Sequence, residues 1–154
     1  MRLSAHVGFS AIVSAALYTI SRSWEMAASC LISGIFIDLD HVIDFFILYG
    51  WPFTFKKFFN VFYRELSFKQ IFIVLHAWEW MILLFAASWI TGWNPWFVGT
   101  LIGCGHHMII DFINNGGYVR SYFLIWRWRN NFDFETSFPG IIKCRDRHRD
   151  TVQQ

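Results

Sequence analysis

The sequence predicts an all-α integral membrane protein, a four-helix transmembrane bundle with interfacial helices. Of its 154 residues, 55% are hydrophobic and 21% are aromatic, which is far more apolar than a soluble domain of this length. Four apolar stretches also approach the roughly 20 residues that a helix needs to cross a bilayer core. These stretches lie at about residues 4–21, 24–45, 69–91 and 95–115.

The first stretch contains His6 and does not end in a small-residue cleavage site, so it is predicted to be a retained helix. The second stretch is the least regular, because polar residues crowd its end before the Gly50-Trp51-Pro52 break. Its last turns are therefore predicted to face protein or water and not lipid. The polar residues in question are Asp38, Asp40, His41 and Asp44.

Two further segments have the composition of helices that lie in the headgroup plane. Residues 51–68 alternate aromatic side chains with Lys56, Lys57 and Arg64, and residues 121–132 read SYFLIWRWRNNF. The chain is accordingly divided into a transmembrane metal-binding domain, residues 1–117, and an interfacial segment with a basic cytoplasmic tail, residues 118–154.

Charge and cysteine content bound the possible functions. The net charge of +2 is too small to indicate a nucleic acid partner. Of the 13 Lys and Arg residues, only Arg22 falls on the opposite side of the predicted bundle, which places both termini in the cytoplasm. The three cysteines are widely spaced and form no CxxC pattern, which argues against a disulfide framework.

Ionisable residues inside the apolar stretches mark the candidate site. Each carboxylate near a helix centre costs roughly 2.5 to 3.5 kcal/mol, and five of them would cost on the order of 10 kcal/mol if uncompensated. Basic residues lie nearly all outside these stretches, so one or two divalent metal ions are predicted to compensate the acids. The five acids are Asp38, Asp40, Asp44, Glu79 and Asp111.

His107 and Asp111 stand four residues apart, so one helix face can offer both to a metal ion. Nitrogen and oxygen donors of this kind suit zinc, manganese or iron. The alternative is a structural His-Asp hydrogen bond between helices. On the same stripe, Gly99 and Gly103 are predicted to let another helix approach closely.

Asp38 and His41 are predicted ligands one turn apart, and a cation there would offset acids at a helix C-terminus. The alternative is a helix end with solvated acids. His76 is also a predicted ligand. Asp40 and Glu79 are the candidates for handling protons, although Glu79 can equally be a partner of a ligating histidine or a neutral buried acid.

The remaining histidines have different predicted roles. His6 is a predicted ligand because its depth in the membrane matches that of the other donors, and the alternative is a hydrogen-bonded core residue. His106 is an alternative ligand beside His107, and His148 is expected to be solvated in the tail.

Four segments together carry a family resemblance. They are His6, GIFIDLDH at residues 34–41, VLHAW at 74–78 and GCGHHMIIDFINNGG at 103–117. Over about residues 1–117 the chain resembles the membrane-bound metal-dependent hydrolases known as LexA-binding inner-membrane proteins. That resemblance implies a location in a bacterial or archaeal plasma membrane.

The pairing of DxDH with HxxxD is also similar to zinc-dependent phospholipase C. This similarity implies that Asp111 bridges two metals, with His6 on one ion. The other ion would then be held by His41, His76, His107 and an aspartate of DxDH. Of the HRGxTHS-like block usual in the hydrolase family, only the last histidine has a counterpart, His76.

The favoured hypothesis is a membrane-embedded metal-dependent hydrolase that acts on a lipid or amphiphilic phosphoester at the cytoplasmic leaflet. One alternative is a metal-ion or proton transporter, which should carry polar groups through both leaflets. Another is a non-catalytic membrane subunit with a structural metal site. Membrane lipids are the expected partners, and a homo-oligomer or a membrane-protein partner also remains open.

Overall fold

The structure is a computed structural model that describes residues 3–65 and 68–143. The predicted tail from residue 144, with Cys144 and His148, lies outside the described residues. Within them the regular structure is helical apart from an isolated bridge between Gln70 and Asp133, which confirms the all-α prediction. The helices are α1 (Leu3–Ser21), α2 (Trp24–Phe36), α3 (Leu39–Tyr49), α4 (Phe55–Phe59), α5 (Trp78–Ile90), α6 (Pro95–Asn114), α7 (Leu124–Arg129) and α8 (Phe134–Ser137).

The prediction of a four-helix transmembrane bundle is wrong. In the described part of the chain, α6 alone is long and apolar enough to cross a membrane, judged by length and composition. Two other apolar helices, Ala5–Ser21 and Trp78–Ile90, are shorter than a membrane-crossing helix needs to be. At 1.5 Å per residue, the 13 residues of α5 extend only about 20 Å, against a hydrocarbon core of about 30 Å.

The second and third predicted spans fail for separate reasons. The predicted span 24–45 is divided by a turn at residues 37–38 into α2 and α3, of 13 and 11 residues. In the predicted span 69–91, the helix begins only at Trp78, because the segment before it is irregular. The first and fourth spans do form helices, α1 and α6, close to the predicted bounds.

Residues 3–37 and 77–114 form one compact unit, built from α1, α2, α5 and α6. Within it α2 packs against α1 and α6, and α5 packs against α6. Ser23 caps α2 by accepting the N–H of Met26, and Glu25 in the first turn complements the helix dipole.

The close approach predicted for the glycines of α6 is confirmed. A Cβ atom on Gly99 would collide with the side chain of Ser29 and the carbonyl of Met26. A Cβ atom on Gly103 would likewise collide with Ser33 and with the carbonyl of Cys30. The two glycines therefore allow the backbones of α2 and α6 to pack closely.

Residues 38–76 and 115–143 form the second compact unit, described apart from residues 66 and 67. It contains α3, α4, α7 and α8, and a π-helical turn follows α4 at Asn60–Glu65. Its core is largely aromatic. The buried aromatic residues of this unit are Phe45, Phe58, Phe62, Phe68, Tyr122, Phe134 and Phe138.

Candidate metal site

His76 is the most constrained histidine of the second unit. It lies in the irregular segment before α5, and its side chain is only 1% exposed. Its Nδ1 lies 2.9 Å from Oδ2 of Asp40, and its Nε2 lies 3.5 Å from Oδ1 of Asp38. A neutral imidazole has one N–H group, so donation from Nδ1 to Asp40 leaves the lone pair of Nε2 directed towards Asp38.

Asp38 Oδ1 faces two histidines at once, because Nε2 of His41 lies 3.6 Å from it and Nε2 of His76 lies 3.5 Å from it. These separations exceed the usual length of an N–H···O hydrogen bond. Two ligands bound about 2.0–2.1 Å from one tetrahedral ion stand about 3.3–3.4 Å apart. The two nitrogens thus each stand from Asp38 Oδ1 at about the spacing of neighbouring ligands of one ion.

Asp40 supports His76 from the first turn of α3. Its Oδ2 accepts the backbone N–H of Leu75 at 3.0 Å as well as the bond from His76. Its Oδ1 is buried and has no hydrogen-bond partner among the described residues. Asp40, His41 and His76 together could hold a metal ion.

The pKa of Asp40 is lowered from its usual value, although two influences oppose each other. Burial acts most strongly and by itself raises this pKa. The charge and hydrogen bond of His76, together with the charge of His41, outweigh burial. Asp40 is therefore an ionised acceptor for the imidazole of His76.

Asp44 and Arg127 correct the expectation that basic side chains do not reach the buried acids. Arg127 is 0% exposed, and its positive charge lowers the pKa of Asp44. Burial is the largest influence on Asp44, and despite Arg127 and two backbone hydrogen bonds it raises the pKa to about 6. The sequence did not indicate that Arg127 is buried, because the aromatic residues around it also suit a helix that lies among lipid headgroups.

The other predicted donors meet within the first unit. Asp111 directs Oδ1 towards Nε2 of His6 at 3.0 Å and Oδ2 towards Nε2 of His107 at 3.5 Å. The two imidazole rings stack with centroids 4.0 Å apart. Nδ1 of His107 lies 2.8 Å from the carbonyl of Gly34, so donation to that carbonyl leaves Nε2 facing the carboxylate. The prediction that His107 and Asp111 share a helix face is confirmed.

His106 has a different role from its neighbour His107. Its Nε2 lies 3.0 Å from Oγ of Ser10, and its Nδ1 lies 2.9 Å from the carbonyl of Ile102. Gly34 makes room for this contact, since a Cβ atom there would stand 2.7 Å from both the ring and the serine hydroxyl. Both ring nitrogens are thus engaged, Nε2 in a contact between α6 and α1 and Nδ1 in a bond within α6.

Each unit holds its own cluster of candidate donors, and nothing in either cluster fixes the identity of an ion. The clusters are Asp38, Asp40, His41 and His76 in the second unit, and His6, His107 and Asp111 in the first. Glu79, in the first turn of α5, belongs to no metal-binding group among the described residues. The catalytic roles of Asp40 and Glu79 remain predictions.

Comparisons with known proteins assign the chain to no family. No protein-family model, no curated protein and no solved structure matches the chain. The resemblance to membrane-bound metal-dependent hydrolases therefore remains a prediction from the motifs.

Proposed function

We propose that the protein is a metal-dependent hydrolase that cleaves a phosphoester bond in a lipid or another amphiphile. One observation carries the proposal: Asp38 Oδ1 stands 3.5–3.6 Å from the Nε2 atoms of both His41 and His76. Two histidines and one carboxylate are a donor set of catalytic zinc and iron sites, which keep a position open for water or substrate. A structural zinc site would need four protein ligands.

Exposure of the three donors is consistent with access by substrate. The His76 side chain is 1% exposed, whereas the side chains of Asp38 and His41 are 13% and 18% exposed. The buried histidine can thus be fixed by the protein interior while the other two donors border solvent. A bound ion would supply Lewis-acid chemistry, lowering the pKa of a water molecule towards about 7 and polarising the scissile bond.

Residues of the chain would orient the metal ligand and transfer the proton. Asp40 holds the His76 ring through Nδ1. As water attacked the phosphorus and the P–O bond to the leaving alcohol broke, Oδ1 of Asp40 would accept the proton of the water and pass it to the leaving alkoxide. Glu79 is retained as the alternative proton acceptor predicted from the sequence.

The outer face of α3 supports an amphiphilic substrate. Asp40 and Asp44 are buried on one face of this helix. Another face of the helix leaves large apolar side chains exposed, at a spacing that places them on one stripe. These exposed residues are Leu39, Ile43, Phe46 and Ile47. The helix that carries the donors therefore also presents an apolar surface on which acyl chains can lie.

The test combines metal content and hydrolysis in the purified full-length protein. Elemental analysis should find a bound transition metal, and the protein should hydrolyse phospholipid in detergent micelles. The His41→Ala variant should lose both metal and hydrolysis, while the matched control Glu135→Gln, an exposed acid of the same unit, should keep both. Tightly bound metal without hydrolysis of phospholipids or simple phosphodiesters would overturn the proposal and favour a structural site.

A further inference from the structure

The segment that carries His76 lacks the backbone hydrogen bonds of a helix or strand. Residues 71–77 lie between the bridge at Gln70 and the start of α5. Ile73 adopts a φ of +31°, a backbone conformation that side chains with a branched Cβ rarely adopt. Because this segment is largely buried, its N–H and C=O groups need partners from elsewhere in the protein.

Carboxylates of α3 bind the N–H groups of the segment. Asp44 Oδ2 accepts the N–H of Phe72 at 2.8 Å and that of Ile73 at 3.0 Å. Asp40 Oδ2 accepts the N–H of Leu75 at 3.0 Å. Two acids one turn apart on one helix thus fix three N–H donors of the irregular segment.

A single guanidinium group binds the carbonyl groups of the same segment. Arg127 Nη1 donates to the carbonyls of Phe72 at 2.8 Å and Ile73 at 3.0 Å. Its Nη2 donates to the carbonyl of His76 itself at 2.9 Å. The last contact connects Arg127 directly to the backbone of a proposed metal ligand.

We propose that Arg127 is a positioning residue for His76, which it holds in the orientation that the metal site requires. This inference rests on the proposed function, since it concerns the same metal ligand. The hydrogen bonds from Arg127 to this segment go to backbone carbonyls of residues 72–76, so the contact with His76 is made through its backbone.

The chemistry of the contact requires arginine. The planar guanidinium offers several N–H groups in a fixed fork, so it can bind three carbonyls at once, whereas an ammonium group is a compact point charge on a flexible stem. The chain just after this helix is tied back to it, because the carbonyl of Arg127 accepts the N–H of Phe132 at 2.8 Å. Lysine at this position would keep the charge and lose the fork.

The experiment compares Zn²⁺ affinity, by competition with a chelator, in Arg127→Lys, Arg127→Met and the control Arg129→Met. Arg129 is an exposed arginine on the same helix. We expect the Arg127 variants to bind Zn²⁺ roughly 10 to 100 times more weakly, as for other changes behind a metal ligand, with the lysine variant less affected. Arg129→Met should bind like the wild type. If Arg127→Met does not fold, Arg127→Lys alone decides.

A double-mutant cycle separates positioning from general stability. If Arg127 acts through His76, Arg127→Lys should not weaken Zn²⁺ binding further in a His76→Ala background. An equal loss in both backgrounds would overturn the proposal, as would wild-type affinity in a folded Arg127→Lys variant. A wild type that binds none of Zn²⁺, Mn²⁺ and Fe²⁺ would instead refute the proposed function. In that case nitrogen NMR of the His76 ring in the metal-free protein tests the positioning role. Arg127→Lys should change the tautomer ratio of the ring, and an unchanged ratio would overturn the role.

Discussion

Asp40 and His76 form a buried pair in which the carboxylate Oδ2 lies 2.9 Å from the imidazole Nδ1. The two residues are separated by 36 positions in the chain and come from different elements, α3 and the irregular segment before α5. A carboxylate that accepts a hydrogen bond from the ring nitrogen that does not bind the metal fixes the tautomer of a ligating histidine and raises its basicity. The pair therefore connects the fold of the second unit to its capacity to bind metal.

Replacing Asp40 by asparagine should weaken metal binding without removing any nitrogen donor. The amide oxygen can still accept one hydrogen bond, but the negative charge that supports the His76 imidazole is lost. We expect Zn²⁺ affinity to fall roughly 10 to 100 times, measured by chelator competition. Asp133→Asn, which keeps a good cap on α8, is the control and should bind Zn²⁺ normally. Unchanged affinity in Asp40→Asn would contradict the role given to Asp40.

Removing the carboxylate of Asp111 should lower the metal content of the protein. This side chain directs one oxygen to His6 and the other to His107, so Asp111→Ala removes the acid from both contacts. Elemental analysis should find one or two equivalents of a transition metal in the wild type and a clear loss in the variant. Chelation should also lower the unfolding temperature of the wild type, because a ligand at 100 times its Kd stabilises a fold by about 2.7 kcal/mol. A well-folded wild type that holds no metal after reconstitution would contradict this prediction.

Asp44 should make the protein less stable as the pH rises. Its pKa is raised to about 6 in the fold against 3.8 as the reference value, so the folded state binds the proton more tightly than the unfolded state does. This contribution to the free energy of unfolding is complete below about pH 4 and is lost as the pH rises through about 6. Its full size is about 3 kcal/mol.

Denaturant unfolding at several pH values, compared between the wild type and Asp44→Asn, isolates this contribution. The amide of asparagine does not titrate, so the wild type should lose stability relative to Asp44→Asn between about pH 4 and 6. A constant difference between the two proteins across that range would show that the pKa of Asp44 is not raised.

Gly103→Ala should destabilise the first unit by roughly 1 to 3 kcal/mol, because the added methyl group collides with Ser33 and with the backbone of α2 at Cys30. Gly105, two residues further along α6, is the matched control. Its nearest neighbour for an added Cβ atom is the Met81 sulfur at 4.0 Å, so Gly105→Ala should gain up to about 1 kcal/mol from helix propensity. Equal effects in denaturant unfolding would contradict the close approach of α2 and α6.

Patterns contained within one helix were predictable from the sequence. The four-residue spacing of His107 and Asp111, and that of Gly99 and Gly103, each placed two residues on one face of α6, and the structure confirms both arrangements. Helical periodicity is a local property, so a single sequence records it directly. The same reasoning identified α1 and α6 near their observed bounds.

Features that depend on distant partners were not predictable in this way. Residues 69–77 are apolar enough to suggest a helix, yet Asp44 and Arg127 bind their backbone groups and keep them irregular. Those partners lie about 30 and 55 positions away in the chain, where a local window cannot register them. Hydropathy also cannot distinguish a membrane span from an apolar segment that is bound in this way.

The burial of Arg127 has a consequence for which ion the second unit can accept. When ionised, Asp38, Asp40 and Asp44 carry three negative charges, and the guanidinium cancels one of them. With neutral histidines, a single divalent cation brings this group of side chains to electroneutrality, whereas a monovalent ion leaves it negative and a trivalent ion leaves it positive. The charge of the arginine thus favours a doubly charged ion in this group over a singly or triply charged one, through valence and independently of ligand geometry.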